Sequence, residues 1–510
     1  MRSDVAHLSF DAARRFGSKT AVSVVGGRSL SFDDLDQMAG RLAGGLIACG
    51  VAAGDRVLLQ LPNGWEWIVT YHALARFGAV IIPCSALLSP AEVSWIAADA
   101  GASVQIIPSA RVDGLESQHT IRRTLTEADV TSLLDAPWEA PSDVDCDALF
   151  TIGYTSGTTG RPKGAMLSQR AVFMSASMTA TLHARHPADR VLSALPFPHV
   201  YGNIVMNSSL LAGCHLHVLE RFDATAALAA IGEYRITLFE GVPTMYYQML
   251  ADAGALQADL SSLYRCTVGG QTIPTAMIER IVERFGCPLL ELWGMTEMAG
   301  PAISHSPFWP PRHGSIGLPF TGMEVRIADL ENAAQMVCPG TIGELCVRGR
   351  LVMQGYFNNE AASREVIDPD GWLHTGDLAY QEPDGYVFIV DRRKDMIVTA
   401  GYKIYPAELE RVLAAHPAVS MVAVGRIQDE AKGELAKAYV VLKPGMTANE
   451  VELIDYCRSQ LAAYKLPRRV QFVAALPTSG TGKILRRQLA QLDAPASQCS
   501  TGSNAGGVFV

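Results

Sequence analysis

Among the 510 residues no uninterrupted apolar run approaches the roughly 20 needed to cross a bilayer. The opening Met1-Arg2-Ser3-Asp4 leads into no apolar segment of the secretory type. Neither secretion nor integral membrane association is expected, and a cytoplasmic protein is. The ten cysteines are scattered, mostly within apolar stretches, and no C-x-x-C pair occurs. They read as reduced core thiols, neither a disulfide frame nor a zinc site. A basic excess is also missing: 42 Lys and Arg against 51 Asp and Glu give a net charge of −9. Nothing there favours nucleic acid or an anionic membrane, so any anion site must be local. With 49% hydrophobic and 18% charged residues the chain has the makings of a large core, and its length implies several folded units.

What is present is a loop suited to polyphosphate, Tyr154-Thr155-Ser156-Gly157-Thr158-Thr159-Gly160-Arg161-Pro162-Lys163-Gly164, preceded by the apolar run Ala148-Leu149-Phe150-Thr151-Ile152. Wrapping anionic oxygens takes glycines for close backbone approach, hydroxyls to donate and a cation to offset charge. A Walker-type loop places its lysine at the start of a helix, before Ser or Thr. Here Pro162 precedes Lys163 and Gly164 follows it, so that reading fails.

Helix and strand signals alternate through the first 300 residues. Leu35, Met38, Leu42, Leu46 and Ile47 recur at helical spacing behind Asp33 and Asp34, and Val57-Leu58-Leu59-Gln60-Leu61 reads as a strand. Ser89-Pro90-Ala91-Glu92 offers an N-cap, a first-turn proline and an acid for the next helix. Near-continuous apolar strands between helices indicate a parallel, helix-covered sheet. From about 314 to 390 short β segments such as Glu344-Leu345-Cys346-Val347 suggest a barrel-like subdomain. We expect an N-terminal domain over 1–390, a joint at Asp391-Arg392-Arg393-Lys394, a small α+β domain over 395–492 and a disordered tail over 493–510.

Five further segments carry chemistry. Leu195-Pro196-Phe197-Pro198-His199-Val200-Tyr201-Gly202 sets a histidine among apolar residues, which taken alone is more often a satisfied core residue than a ligand. Val268-Gly269-Gly270-Gln271 and Glu291-Leu292-Trp293-Gly294-Met295-Thr296-Glu297 offer close backbone approach, an aromatic face and a carboxylate suited to a hard cation. A core tryptophan before a tight turn would give the second of these equally well. Gly371-Trp372-Leu373-His374-Thr375-Gly376-Asp377 puts an acid beside a glycine turn, where it can accept from ribose hydroxyls. Pro477-Thr478-Ser479-Gly480-Thr481-Gly482-Lys483 carries a Gly-Lys pair that, without context, is a solvated lysine on a loop.

Together, in this order over residues 30–489, these segments resemble the adenylate-forming superfamily: acyl-CoA synthetases, peptide-synthetase adenylation domains and beetle-type luciferases. The resemblance implies an α/β fold, with a large N-terminal AMP-binding domain of two layered αβ subdomains plus a β-barrel-like subdomain, and a small mobile α+β C-terminal domain. It implies an AMP-forming carboxylate–CoA ligase that uses Mg2+, ATP and coenzyme A on a small-molecule carboxylic acid. By that resemblance Thr155, Ser156, Gly157, Thr158, Thr159 and Lys163 grip the polyphosphate. Adenine lies between the Gly269-Gly270-Gln271 segment and Trp293, with Glu291, Leu292, Gly294 and Met295 completing the nucleotide site. Thr296 falls near the α-phosphate, and Glu297 with Thr158 on Mg2+. Asp377 is the ribose ligand, assisted by Arg392; Lys394 is the hinge; Lys483 is the adenylation lysine. His199, Tyr201, Val205, Gly269, Leu292 and Met298 border the acyl pocket, with His199 gating the thiol route. Arg221, Thr399, Ala400 and Gly401 are the implied CoA contacts, Gly401 leaving room for the pantetheine arm.

Two positions depart from the family's usual pattern. Trp293 stands where tyrosine is common, keeping a stacking face but removing the hydroxyl, and Leu292 stands where glycine is common, a bulk that would reshape the acyl pocket. Other readings stay open: an acyl-AMP ligase that loads a carrier protein, and a non-catalytic nucleotide-binding protein. An amino-acid-activating domain lacks its expected Asp near His199, and a luciferase-like oxygenase lacks its second lysine, which Val398 replaces. A hydrophobic aliphatic or aryl acid is favoured by the apolar character around His199 and from Met295 to Ala302. The oligomeric state stays open, a homodimer included.

Overall fold

The local signals act where they stand. Ser89 accepts the Glu92 amide and the Glu92 carboxylate accepts the Ser89 amide, a reciprocal cap that starts the helix Pro90–Ala100. Ser31 and Asp34 do the same for Phe32–Ala48. In the computed structural model residues 4–114, 120–155, 162–429, 432–478 and 484–493 are described. The expectations for Ser156, Gly157, Thr158, Thr159, Lys483 and the tail beyond residue 493 fall outside them.

The chain divides into two units, with the boundary between Lys394 and Asp395. The first holds two large sheets. One runs Arg123–Leu125, Val104–Ile106, Arg56–Leu59, Val80–Pro83, Leu149–Thr155, Lys163–Ser168, parallel except for the last pair. Val57, Leu58, Leu59, Ile81 and Ile82 in its middle are fully buried, as a sheet covered on both faces requires. The other has nine strands, and its parallel centre includes Arg190–Ser193, Leu238–Gly241, Arg265–Val268 and Leu289–Met295. The antiparallel strands Gly300–Ser304 and Leu318–Pro319 close one edge. Met323–Ala328, Gly343–Gly349, Leu373–Gln381 and Val387–Arg392 form a four-stranded antiparallel meander. This is the segment read from sequence as barrel-like.

The second unit pairs Val419–Asp429 with Gly433–Leu442 over ten registered residue pairs and packs the helices Pro406–Ala414 and Glu450–Arg458 against this sheet. Asn449 caps the latter helix. No helix among the described residues is long and apolar enough to cross a membrane.

Candidate active site

The strand Leu289–Met295 carries five of the predicted nucleotide residues, Glu291 to Met295, and its pairing with Gly300–Ser304 is irregular between Trp293 and Gly294. A bulge there re-aims the side chains that follow it. Gly294 is demanded by space, since a Cβ would lie 2.1 Å from the Gly300 carbonyl oxygen. Trp293, 9% exposed, donates its indole N–H to Asp377 Oδ2 at 2.8 Å. Asp377 is the register partner of Arg392 on the next strand, and Arg392 Nε stands 3.2 Å from Asp377 Oδ1. Where a tyrosine would offer a hydroxyl, the indole N–H of Trp293 supplies a polar hand of its own and fixes one oxygen of the predicted ribose ligand.

Beyond the strand, Thr296 packs so closely over Gly153 that a Cβ on the glycine would meet its methyl at 2.7 Å. This joins the nucleotide strand to Leu149–Thr155, the strand that leads into the phosphate loop. Thr155 and Lys163 pair across the hairpin, so the loop leaves and returns at one point. Glu297 is buried, and its Oε1 accepts from the Tyr356 hydroxyl at 2.9 Å. Lys163 Nζ lies 5.1 Å from the centre of the same tyrosine ring. Tyr356 thereby sets a carboxylate and a cation at fixed positions, with a cation–π contact on one side and a hydrogen bond on the other. Burial pushes the Glu297 carboxyl up from its ordinary range. A buried carboxylate disfavoured as an anion fits a divalent cation, which restores the charged form and takes hard oxygen ligands.

Glu291 faces elsewhere. Its Oε2 accepts from the Gly314 amide at 3.1 Å, beside a cavity of about 120 Å³ that His305, Trp309 and His313 also line. Burial pushes its carboxyl up to about 8, with the Gly314 amide opposing. Burial thus favours the neutral form of Glu291, which can donate as well as accept.

His199 caps the helix Val200–Ala212, its Nδ1 accepting from the Tyr201 amide at 3.4 Å. The histidine is exposed rather than a core residue, and it lines a small cavity with Val200, Gly153, Tyr154, Leu167 and Thr296. Tyr201 is buried, its hydroxyl 2.7 Å from Thr267 Oγ1 and donating to Glu240 at 3.3 Å, while Glu240 is ion-paired to Arg185. Val205 and Met298 are buried in the same core as Leu292. Leu292 lies over Gly269, where a Cβ would come within 2.3 Å of Leu292 Cδ1. Gly269 and Leu292 thus share one volume, and the departure at 292 is matched by the absence of a side chain at 269. Gly270 turns at φ 85° and is exposed; Gln271 beside it is half-buried.

Against this geometry stand the likenesses to known proteins. The model of the AMP-binding enzyme family matches residues 9–357, and that of the AMP-binding enzyme C-terminal domain matches 408–483. The chain belongs to the AMP-binding enzyme family. It is 37% identical to a feruloyl-CoA synthase of Amycolatopsis sp, over 91% of this chain and 94% of that one. To a long-chain-fatty-acid–CoA ligase of Bacillus subtilis (strain 168) it is 33% identical, over 94% and 92%. The o-succinylbenzoate CoA synthetase MenE of Bacillus subtilis, solved with the acyl-adenylate intermediate OSB-AMP, superposes with a TM-score of 0.81 at 30% identity, covering 95% of this chain and 97% of that one.

The remaining predicted residues of this AMP-binding enzyme are carried by other elements. Arg221 is exposed on the connection between the strand His215–Val218 and the helix Ala224–Glu233. Lys394 is exposed at the unit boundary. In the second unit Thr399 is buried and pairs with Tyr402, making Ala400-Gly401 a two-residue hairpin turn with φ of 47° and 85°. Gly401 has a local reason to be glycine, because both turn positions need positive φ. A Cβ there would meet nothing within 4 Å. Tyr356 was not singled out from the sequence. The only local sign was its place after Gly355, which takes φ 129°.

Proposed function

We infer that the Trp293–Asp377–Arg392 group binds the adenosine of ATP and that the Lys163–Tyr356–Glu297 group, with Thr296, receives its phosphates. The chain is an ATP-dependent acyl-CoA ligase. In the first half-reaction a carboxylate oxygen attacks the α-phosphorus in line, the bond to the β-phosphate bridging oxygen breaks, and acyl-AMP and pyrophosphate form. In the second, the CoA thiolate attacks the acyl carbonyl and AMP leaves with the bonding pair. The protein's part is positioning and electrostatics. Asp377 accepts from the ribose hydroxyls, and Arg392 and the Trp293 N–H hold it still for that task. Adenine stacks on Trp293 against the Gly269-Gly270-Gln271 backbone. Lys163 and the loop hydroxyls Thr155, Ser156, Thr158 and Thr159 take the β- and γ-phosphates, and Lys483 takes the carboxylate and the α-phosphate. Glu297 and Thr158 would hold magnesium with the triphosphate, where it would supply charge neutralisation for the pyrophosphate. His199 at the rim of its cavity borders the acyl carbonyl and the thiol path, and Thr399, Ala400, Gly401 and Arg221 serve coenzyme A.

The observation that carries this reading is the joint placement of Glu297 and Lys163 by one tyrosine, beside a carboxylate fixed by Trp293. The acid is a hydrophobic aliphatic or aryl monocarboxylate, consistent with the apolar Val205, Leu292 and Met298 and with the aryl and fatty acids named for the relatives. The reaction is placed in the cytoplasm, with the free CoA thiol as acceptor. ATP–pyrophosphate exchange over a panel of acids, followed by assay with CoA and with a carrier-protein thiol, tests the reading. Exchange with an aliphatic or aryl acid and a thioester on CoA are expected. Transfer to the carrier protein alone would replace CoA as the acceptor, and no exchange with any acid would overturn the ligase.

A further inference from the structure

The meander sets His374, three residues before Asp377 on its strand, beside Glu344 and Cys346 on the neighbouring strand. Cys346 on Gly343–Gly349 is the register partner of His374 on Leu373–Gln381, and Glu344 lies on the same face as Cys346, two residues earlier. A register shift between Glu344 and Cys346 bends the strand at this point. Cys346 Sγ is 3.4 Å from His374 Nδ1, that nitrogen is 3.4 Å from Glu344 Oε2, and the three ligand atoms all lie within 4.8 Å of one another.

We propose that Glu344, Cys346 and His374 form a binding site for a divalent cation of the zinc class, held by one sulfur, one nitrogen and one oxygen. The spacing fits. Tetrahedral bonds of about 2.3 Å to sulfur and 2.0–2.2 Å to nitrogen and oxygen put neighbouring ligand atoms roughly 3.3–3.6 Å apart. Charge fits as well: a thiolate, a carboxylate and a neutral imidazole balance a dication, the thiol proton passing to solvent on loading. The other imidazole nitrogen, Nε2, lies 3.7 Å from Asp368 Oδ2, and Asp368 is held by Arg326 at 2.9 Å, the carboxylate–histidine arrangement that orients a metal-bound imidazole. Glu344 Oε1 is fixed by the Gly376 amide at 3.1 Å, while Oε2 meets Arg393 Nη1 at 3.4 Å. The Arg393 side chain is 52% exposed and can swing into water as a cation arrives. Its side and the partly exposed His374 give the entry path. A fourth position is left to water, and soft and borderline ions are selected over magnesium by the thiolate.

The test uses the full-length protein stripped with a chelator and dialysed. One equivalent of Co2+ is expected to give a thiolate-to-cobalt charge-transfer absorption and the visible bands of a tetrahedral ion. That charge-transfer band should vanish in Cys346→Ser and persist in Cys338→Ser, whose cysteine is exposed and lies outside the cluster. Zn2+ affinity, read by competition with a chromophoric chelator, should fall at least tenfold in His374→Gln and roughly 10–100-fold in Asp368→Asn, with unchanged circular dichroism. These two variants decide the matter if Cys346→Ser does not fold. No charge-transfer band in the unmodified protein, a band that survives Cys346→Ser or is lost in Cys338→Ser, or unchanged Zn2+ affinity in His374→Gln would overturn the site.

Discussion

The Trp293 indole N–H and the Asp377 carboxylate are hydrogen-bonded at 2.8 Å across 84 residues of sequence. The bond makes the aromatic proposed to stack the base also the donor that steadies the proposed ribose ligand. A hydrogen bond to a charged group contributes about 1.5–3 kcal/mol.

Trp293→Phe keeps an aromatic face and removes the donor, so the KM for ATP should rise about 10–100-fold, the range set by that bond, with a smaller change in kcat. Trp293→Tyr, with a hydroxyl near the same place, should recover part of the loss. Steady-state kinetics with ATP varied, beside AMP inhibition, checks this. An unaltered KM in the Phe variant would mean that the bond does not position the ribose ligand.

Tyr356→Phe separates the two contacts of the bridging residue: the ring beneath Lys163 stays and the hydroxyl on Glu297 goes. The Mg2+ concentration for half-maximal adenylation should rise about tenfold, since a donor that favours the charged carboxylate is lost. Tyr356→Leu should add a loss of ATP affinity by freeing Lys163. Magnesium titrations of pyrophosphate exchange measure the first effect, and equal Mg2+ curves for Phe variant and parent would contradict it.

For Glu291 the sign follows from its raised pKa. Folding takes up a proton between the ordinary carboxylate range and about 8, so this group's contribution to stability is complete at low pH and is lost as pH rises towards and through 8. Glu291→Gln keeps the neutral form permanently. Its melting temperature relative to the parent should rise steadily from pH 5 to pH 8.5, while ATP affinity at pH 7 changes little. Parallel melting curves across that range would show that Glu291 is ionised in the fold.

These predictions draw on contacts of different legibility. The Ser89-Pro90-Glu92 start signal and the buried strand at 57–59 were readable because each is decided by a few neighbouring residues. The Gly376-Asp377 turn was readable for the same reason, with Gly376 at φ 74°. Tyr356 was not, since Glu297 lies 59 residues away and meets it only through the folded sheets. Nor was the pairing of Cys346 with His374, which depends on strand register in a meander and leaves no spacing rule in the chain. Leu292 shows the middle case: its bulk was visible in the sequence, but its accommodation over Gly269 needed the neighbouring strand.

Gly401 separates a turn requirement from a passage for substrate. Its φ of 85° strains most side chains, so Gly401→Leu would confuse the two effects. Gly401→Asn tolerates the turn and still adds bulk. Pyrophosphate exchange and melting temperature should stay close to the parent while thioester formation falls at least tenfold and acyl-AMP accumulates on the protein. Retained thioester formation would remove Gly401 from the pantetheine path.

The chemistry itself is most directly read from the fate of the carboxylate oxygen. With an accepted acid labelled with oxygen-18 in both carboxylate positions, attack on the α-phosphorus followed by thioester formation should leave one labelled oxygen in the phosphate of AMP and none in pyrophosphate. Label in pyrophosphate or in inorganic phosphate, or AMP free of label after turnover, would contradict an acyl-adenylate route.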